Sequence, residues 1–215
     1  KDVVSGDYYW VYKFSEDEVF FTVADCTGHG VPGAFMSMIG TSLLNENIVD
    51  YKIHNPAEVL GNMRSKIIES LNDHSSKTNN KDGMDMALCK LNLKTKTLDY
   101  TGANNPLVHI SEGKLNYIKG NSQPVGLSII DNKPFTNHHV KLKKGDMIYI
   151  YSDGYQDQFG GPRGKKYMVK KFKTFLSKLS QLSIEEQRVK IQEEFHGWKG
   201  NHDQVDDICV MGIRV

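Results

Sequence analysis

Four aspartates, Asp7, Asp25, Asp153 and Asp206, each stand at the end of a segment that reads as a β-strand. Asp7 closes Val3 to Asp7, Asp25 closes Val19 to Asp25, Asp153 closes Met147 to Asp153, and Asp206 opens Asp206 to Met211. Strands far apart in sequence can bring their ends together in space. Carboxylates gathered that way repel one another unless cations neutralise them. Oxygen-only ligands suit hard divalent ions such as Mg²⁺ or Mn²⁺. The first chemistry this pattern suggests is hydrolysis at a two-metal centre.

Those four residues need elements to carry them. Tyr8 to Phe14 and Val19 to Ala24 read as a hairpin closed by Ser15-Glu16-Asp17. A helix is expected from Val31-Pro32-Gly33 through Leu44, with Pro32 in its first turn. A second helix starts with Asn55 as N-cap, Pro56 first and Glu58 three after the cap; Leu60, Met63, Ile67 and Leu71 share one face. Asn72 to Gly83 is polar and reads as a mobile loop. Asp85 to Ile118 alternates as strands and tight turns, with Glu112-Gly113 a two-residue hairpin signal. Val140 to Leu142 and Met147 to Ser152 continue the sheet, and Met147 to Tyr151 is apolar throughout, as a strand buried on both faces requires. Met168, Phe172, Phe175, Leu176 and Leu179 form an amphipathic stripe. Ser183 and Glu186 make a capping box for the next helix, and Asp206 to Val215 is a last strand. This order gives an α+β fold: a four-layer αββα sandwich of two antiparallel sheets flanked by helices, in one domain over residues 1–215.

Composition excludes several classes. The chain has 215 residues, 39% hydrophobic and 25% charged, as an ordinary globular domain does. With 27 basic against 26 acidic residues, no preference for nucleic acid or membrane follows. No apolar run approaches the roughly 20 residues of a membrane span. Cys26, Cys89 and Cys209 are odd in number and widely spaced, which points to reduced thiols and a cytoplasmic setting.

Gly28-His29-Gly30-Val31-Pro32-Gly33 matches the dinucleotide-binding G-x-G-x-x-G, with Asp50 about 20 residues on. Three features reject it. Asp25 would repel a pyrophosphate. Pro32 removes an N–H from the helix start. The fingerprint also needs alternating strands and helices, whereas Asp85 to Ser152 is hairpin-linked.

Taken with its surroundings, Asp25-Cys26-Thr27-Gly28-His29-Gly30 resembles the metal-dependent serine/threonine protein phosphatases of type 2C. The likeness is to the bacterial branch of the stage II sporulation phosphatase and the stress-response sigma-factor phosphatases. Val4-Ser5-Gly6-Asp7, Thr101-Gly102-Ala103-Asn104, Gly145-Asp146, Tyr151-Ser152-Asp153-Gly154 and Asp206-Asp207-Ile208 follow in the family's order. The resemblance implies two Mn²⁺ or Mg²⁺ ions, with Asp25 bridging both and the Cys26 carbonyl completing one shell. Asp7 would serve one ion, Asp153 and Asp206 the other, and Asp207 would support the last ligand. His29 is as well suited to shaping the loop as to general acid work. No arginine near Asp7 is available to clamp a phosphate, since Arg64 lies on a helix, and Asn104-Asn105 replaces the branch's commoner Gly-His. Asp82 and Asp85 could hold a third, weak metal, although a solvated loop explains them as well.

The implied reaction is hydrolysis of a phosphoserine or phosphothreonine on a regulatory protein by a metal-activated water, the protein being an anti-sigma factor antagonist. The chain is then expected to be the C-terminal catalytic piece of a longer sensor protein, controlled through the helices between Gly33 and Leu71. A homodimer stays open. Two alternatives also stay open: a pseudophosphatase binding module of the same fold, and a dinucleotide-binding oxidoreductase.

Overall fold

A computed structural model describes residues 4–28, 30–71, 82–128 and 133–215. His29 and most of the expected loop from Asn72 to Gly83 lie outside them. The first hairpin forms as expected, β1 (Tyr8–Lys13) against β2 (Glu18–Cys26). Helix α1 (Gly30–Leu44) runs on into a π-helical segment, Asn45–Asp50. Helix α2 (Pro56–Leu71) is capped by Asn55, whose Oδ1 accepts the Ala57 N–H at 2.9 Å. Then come β3 (Gly83–Asn92), β4 (Thr97–Ala103), β5 (Leu107–Ser111), β6 (Lys114–Ile118), the short β7 (Val125–Gly126), β8 (His138–Lys141) and β9 (Met147–Tyr151). A single-turn α3 (Gly154–Asp157) leads to a miniature hairpin, β10 (Phe159–Gly160) and β11 (Lys165–Lys166). Helices α4 (Val169–Leu179) and α5 (Ile184–Lys199) precede β12 (Val210–Arg214).

Apart from the β10–β11 hairpin, the strands form two antiparallel sheets. One runs β1-β2-β3-β4-β8 with β7 added beside β3; the other runs β12-β9-β5-β6. Period-two alternation sorts the side chains into three apolar layers. Phe20 and Ala24 of β2 and Met84, Met86 and Leu88 of β3 face α1 and α2. Phe21, Val23, Ala87 and Cys89 face Ile148 and Ile150 between the sheets. Met147, Tyr149 and Tyr151 face α4 and α5, where Phe172 lies 4.3 Å from the Tyr155 ring and 4.8 Å from the Tyr151 ring. This is the expected αββα sandwich, and β9 is buried on both faces as its composition requires. Its all-antiparallel pairing leaves no parallel sheet for a dinucleotide fold. None of the helices among the described residues is long and apolar enough to cross a membrane.

Five expectations need correction. Asp7 precedes a strand instead of closing one. Its N–H turns back to Ser5 Oγ at 3.0 Å, which kinks the chain before β1. Asp206 lies in a loop, because Asp207 turns away to bond other backbone and the ladder to β9 begins only at Val210. Strand β3 starts at Gly83, paired with Gly126, not at Asp85. Strands β8 and β9 belong to different sheets: Asp146 accepts the Lys143 N–H at 2.9 Å and His109 at 2.7 Å, so the chain crosses between layers at that turn. Met168 leaves the α4 stripe, since its φ of 76° carries the side chain out to solvent.

Phe172 joins the stacked aromatics of β9, α3 and α4. Phe172→Ala should cost about 3–5 kcal/mol, read from urea denaturation midpoints. Ser183→Ala, which removes an observed capping box, should cost about 1 kcal/mol. A loss for Phe172→Ala no larger than that for Ser183→Ala would mean that α4 does not anchor this layer.

Candidate active site

The carboxylates meet because three backbone segments approach more closely than side chains would permit. A Cβ on Gly6 would stand 2.6 Å from the Gly28 carbonyl oxygen, and one on Gly33 only 2.5 Å from the same atom. Only glycine tolerates such approach. The contact joins the Asp7 segment, the loop after Asp25 and the first turn of α1. Thr27 closes that loop on β3 by donating its N–H to Gly83 O at 2.9 Å. On the other sheet, a Cβ on Gly154 would stand 1.9 Å from Asp207 O, so the residue after Asp153 lies directly against the Asp206 loop.

The result is an open cleft of about 290 Å³ lined by Asp25, Cys26, Thr27, Gly28, Asp85, Asp153 and Asp206. Asp25 and Asp85 are register partners across β2 and β3. Asp7 sits against Asp25 and accepts a short hydrogen bond from Ser152 Oγ. That hydroxyl in turn accepts the Cys209 N–H at 2.9 Å, so β9 and the approach to β12 together aim Asp7. The five sequence-derived candidates, Asp7, Asp25, Cys26, Asp153 and Asp206, thus come from four separate segments to one place. Among the described residues no three His, Cys, Asp or Glu side chains already close into a ready-made ion cage. The carboxylates line a cleft instead.

Charge crowding is severe. Burial, then the charges of Asp7, Asp153, Asp206 and Asp85, push the Asp25 carboxyl up to about 8. Burial and the charges of Asp207 and Asp206 raise Asp7 to about 6, against the lowering effect of the Ser152 hydrogen bond. Asp153 and Asp85 are raised too, each first by burial. A cluster of hard oxygens this short of positive charge fits divalent cations. The Cys26 thiol is pushed up to about 12 by burial and by Asp25 and Asp7, so it stays protonated at neutral pH.

Asp207 takes the supporting place expected for it, whereas the roles of Asn104 and Gln158 escape sequence reasoning. Asp207 accepts the Gly6 N–H at 3.0 Å, tying the Asp206 loop to the Asp7 segment. Asn104, at φ 56°, donates to Asp85 Oδ1 at 2.7 Å, which gives the Asn104-Asn105 departure a structural role. Buried Gln158 donates to Asp203 O at 2.8 Å and accepts the Val205 N–H at 3.2 Å, fixing the loop that carries Asp206. No local signal marks Gln158 for this task, because Asp203 and Val205 lie 45 and 47 residues away. Arg64 is engaged elsewhere, donating to Lys133 O at 2.8 Å over the Phe135 ring. His29 lies outside the described residues.

Comparison with known proteins agrees with this fold. The family model of stage II sporulation protein E (SpoIIE) matches residues 15–215. Phosphoserine phosphatase RsbU of Bacillus subtilis is 28% identical over 153 residues, covering 70% of this chain and 42% of RsbU. The solved SiaA-PP2C domain of Pseudomonas aeruginosa superposes with a TM-score of 0.87 at 28% identity, covering 100% of this chain and 82% of that one. RsbX, solved in complex with magnesium, shares the fold at a TM-score of 0.68 and 16% identity, over 97% of this chain and 86% of RsbX. The chain spans less than half the length of the curated relatives it matches. With a family match running to its last residue and a fold shared end to end with a solved PP2C domain, the chain belongs to the SpoIIE family and has the fold of the PP2C phosphatase domains.

Proposed function

We propose that this domain removes phosphate from a phosphoserine or phosphothreonine of a regulatory protein, using two Mn²⁺ or Mg²⁺ ions held by its aspartates. The observation that carries the reading is Asp25: four other aspartates act on its carboxyl at the centre of one cleft. Asp25 would be shared between the ions. Asp7 and the Cys26 carbonyl would serve one side, Asp153 and Asp206 the other. Divalent cations in such a site supply an activated water and neutralise charge on the phosphoryl group.

The chain's own residues then act by position. Ser152 holds Asp7 by one carboxylate oxygen, against Asp25. Asp207 and Gln158 fix the Asp206 loop from both sides. Asn104 restrains Asp85 at the mouth. Cys26 contributes no thiolate, so no covalent phosphocysteine step is available to it. The relative named a phosphoserine phosphatase and the relative solved with magnesium support both the reaction and the cation class.

The substrate that fits the branch is an anti-sigma factor antagonist, released by dephosphorylation to capture its anti-sigma factor. The domain would be the catalytic piece of a longer sensor protein, as its share of the relatives' length suggests. Helix α1 suits a control role, because Gly33 in its first turn touches the Gly28 carbonyl of the cleft loop.

Para-nitrophenyl phosphate with Mn²⁺ tests the reaction. Asp25→Asn should lower turnover about a hundredfold or more at saturating Mn²⁺, since charge shared by both ions is lost. Cys26→Ala should remain close to wild type. Activity of Asp25→Asn within a few-fold of wild type would sink the two-metal assignment.

Cation binding should also appear in thermal melts. Carboxyls whose pKa rises on folding contribute stability that is fully present below the ordinary carboxylate range. It is lost as pH climbs through their raised values, about 6 for Asp7 and about 8 for Asp25. In EDTA, Tm should therefore fall between about pH 5 and pH 8, and fall less in Asp25→Asn. Saturating Mn²⁺ should raise Tm and flatten the slope. Equal slopes in wild type and Asp25→Asn, with no effect of Mn²⁺, would contradict the cluster.

A further inference from the structure

Residues 158–184 hold seven of the chain's 27 basic residues and none of its 26 acidic ones. The stretch comprises β10, β11 and α4, so it begins one helical turn after Asp153. The rest of the chain is net acidic. Helical surfaces ordinarily interleave both signs, so a run of one sign calls for a reason.

The β10–β11 hairpin of this run reaches the rim of the cleft. Lys166 pairs with Asp157 at 2.8 Å and is near enough to Asp153 to act on its carboxyl. Gly161 donates its N–H to Trp198 O at 2.7 Å, and the Trp198 indole donates to Gln158 O at 3.1 Å. Gln158 in turn holds the loop carrying Asp206. Lys171 is engaged by Glu194 at 3.0 Å and by the Trp198 ring, and Lys173 lies over the Tyr117 ring. Arg163, Lys165 and Lys170 are exposed and have no ion pair among the described residues. Arg163 and Lys165 thus flank Lys166 on a fixed hairpin that reaches the carboxylate cleft, and Lys170 extends the run along α4, where it borders Leu115 and Lys178.

Resting on the phosphatase reading, we propose that Arg163, Lys165 and Lys170 form a docking surface for acidic residues that flank the phosphorylated residue of the substrate protein. The cleft repels a phosphoprotein until its cations are in place, and a basic rim offsets that repulsion. It also steers encounter over distances of order the ~10 Å screening length at 0.1 M salt. A protein partner fits better than a membrane or a duplex. An extended polyanion laid on this rim would also meet Asp153, Asp157 and Asp206, whereas a phosphoprotein can confine its acids to one side.

The test uses two phosphoserine peptides that differ only in whether glutamates or alanines flank the phosphoserine, with Mn²⁺ at low ionic strength. Wild type should favour the glutamate peptide by about tenfold in kcat/KM, and added salt should shrink that preference. The combined variant Arg163→Glu, Lys165→Glu, Lys170→Glu should lose or invert it, with a melt confirming the fold and the three alanine substitutions standing in if it does not fold. Equal rates for both peptides in wild type, or a preference unchanged in the variant, would overturn the proposal. So would a variant whose only deficit is binding to phosphatidylserine vesicles or duplex DNA. Hydrolysis of para-nitrophenyl phosphate by wild type separates the two readings: without it the phosphatase assignment fails, and with it only the docking surface is at stake.

Discussion

The carboxylates of Asp7, Asp25, Asp85, Asp153 and Asp206 would separate if the backbone let them. Burial and mutual repulsion oppose their ionisation, and nothing among the described residues neutralises Asp25. They stay together because the chain is pinned on both sides of the cleft. Glycine contacts at Gly6, Gly28 and Gly33 lock one side without any side chain that could rotate away. Asp207, Ser152 and Gln158 lock the other through hydrogen bonds that join segments distant in sequence. Strain of this kind is held at a functional site by a surround that over-determines it.

That surround is the double sandwich. Strands β2, β3, β5 and β9 bury both faces, so a shift of one residue in register would exchange an entire layer of side chains. Register is therefore fixed along their length, and with it the height at which Asp25 and Asp85 emerge. Asp153 follows β9 by two residues, and β9 lies between β12 and β5. The sheets supply rigidity, and the loops at their common edge supply the chemistry.

Much of this was legible in the sequence, for physical reasons that differ by element. The Tyr8–Lys13 hairpin, the Asn55 cap, the Glu112-Gly113 turn and the Ser183 capping box are encoded within a few residues, and each forms. The layered architecture followed from uniform burial in Met147 to Tyr151 and alternation elsewhere. What failed was set by contacts across the chain. Asp206 reads as strand because Ile208 to Met211 is apolar, yet Asp207 is drawn to Gly6 some 200 residues away and bends the backbone. The Asp85–Asn104 bond likewise depends on β3 and β4 lying side by side. The G-x-G-x-x-G resemblance misleads because close backbone approach is useful for more than one purpose. Here the glycines admit another backbone rather than a pyrophosphate.

That substitution couples the start of α1 to the cleft. A side-chain contact between α1 and the cleft could yield by rotamer change, leaving the carboxylates in place. The Gly33–Gly28 contact is backbone to backbone, so a displacement of the α1 start must move the Gly28 carbonyl, Gly6 or both. Asp7 adjoins Gly6, and Gly28 follows Asp25 by three residues. Rotation of one helix would therefore alter the spacing of Asp7 and Asp25, two neighbouring carboxylates carried by different segments. Val31, Phe35 and Met38 lie on the outer side of that helix and are more than half exposed. A force applied there reaches the cleft through one rigid turn of helix, with no intervening side chain to absorb it.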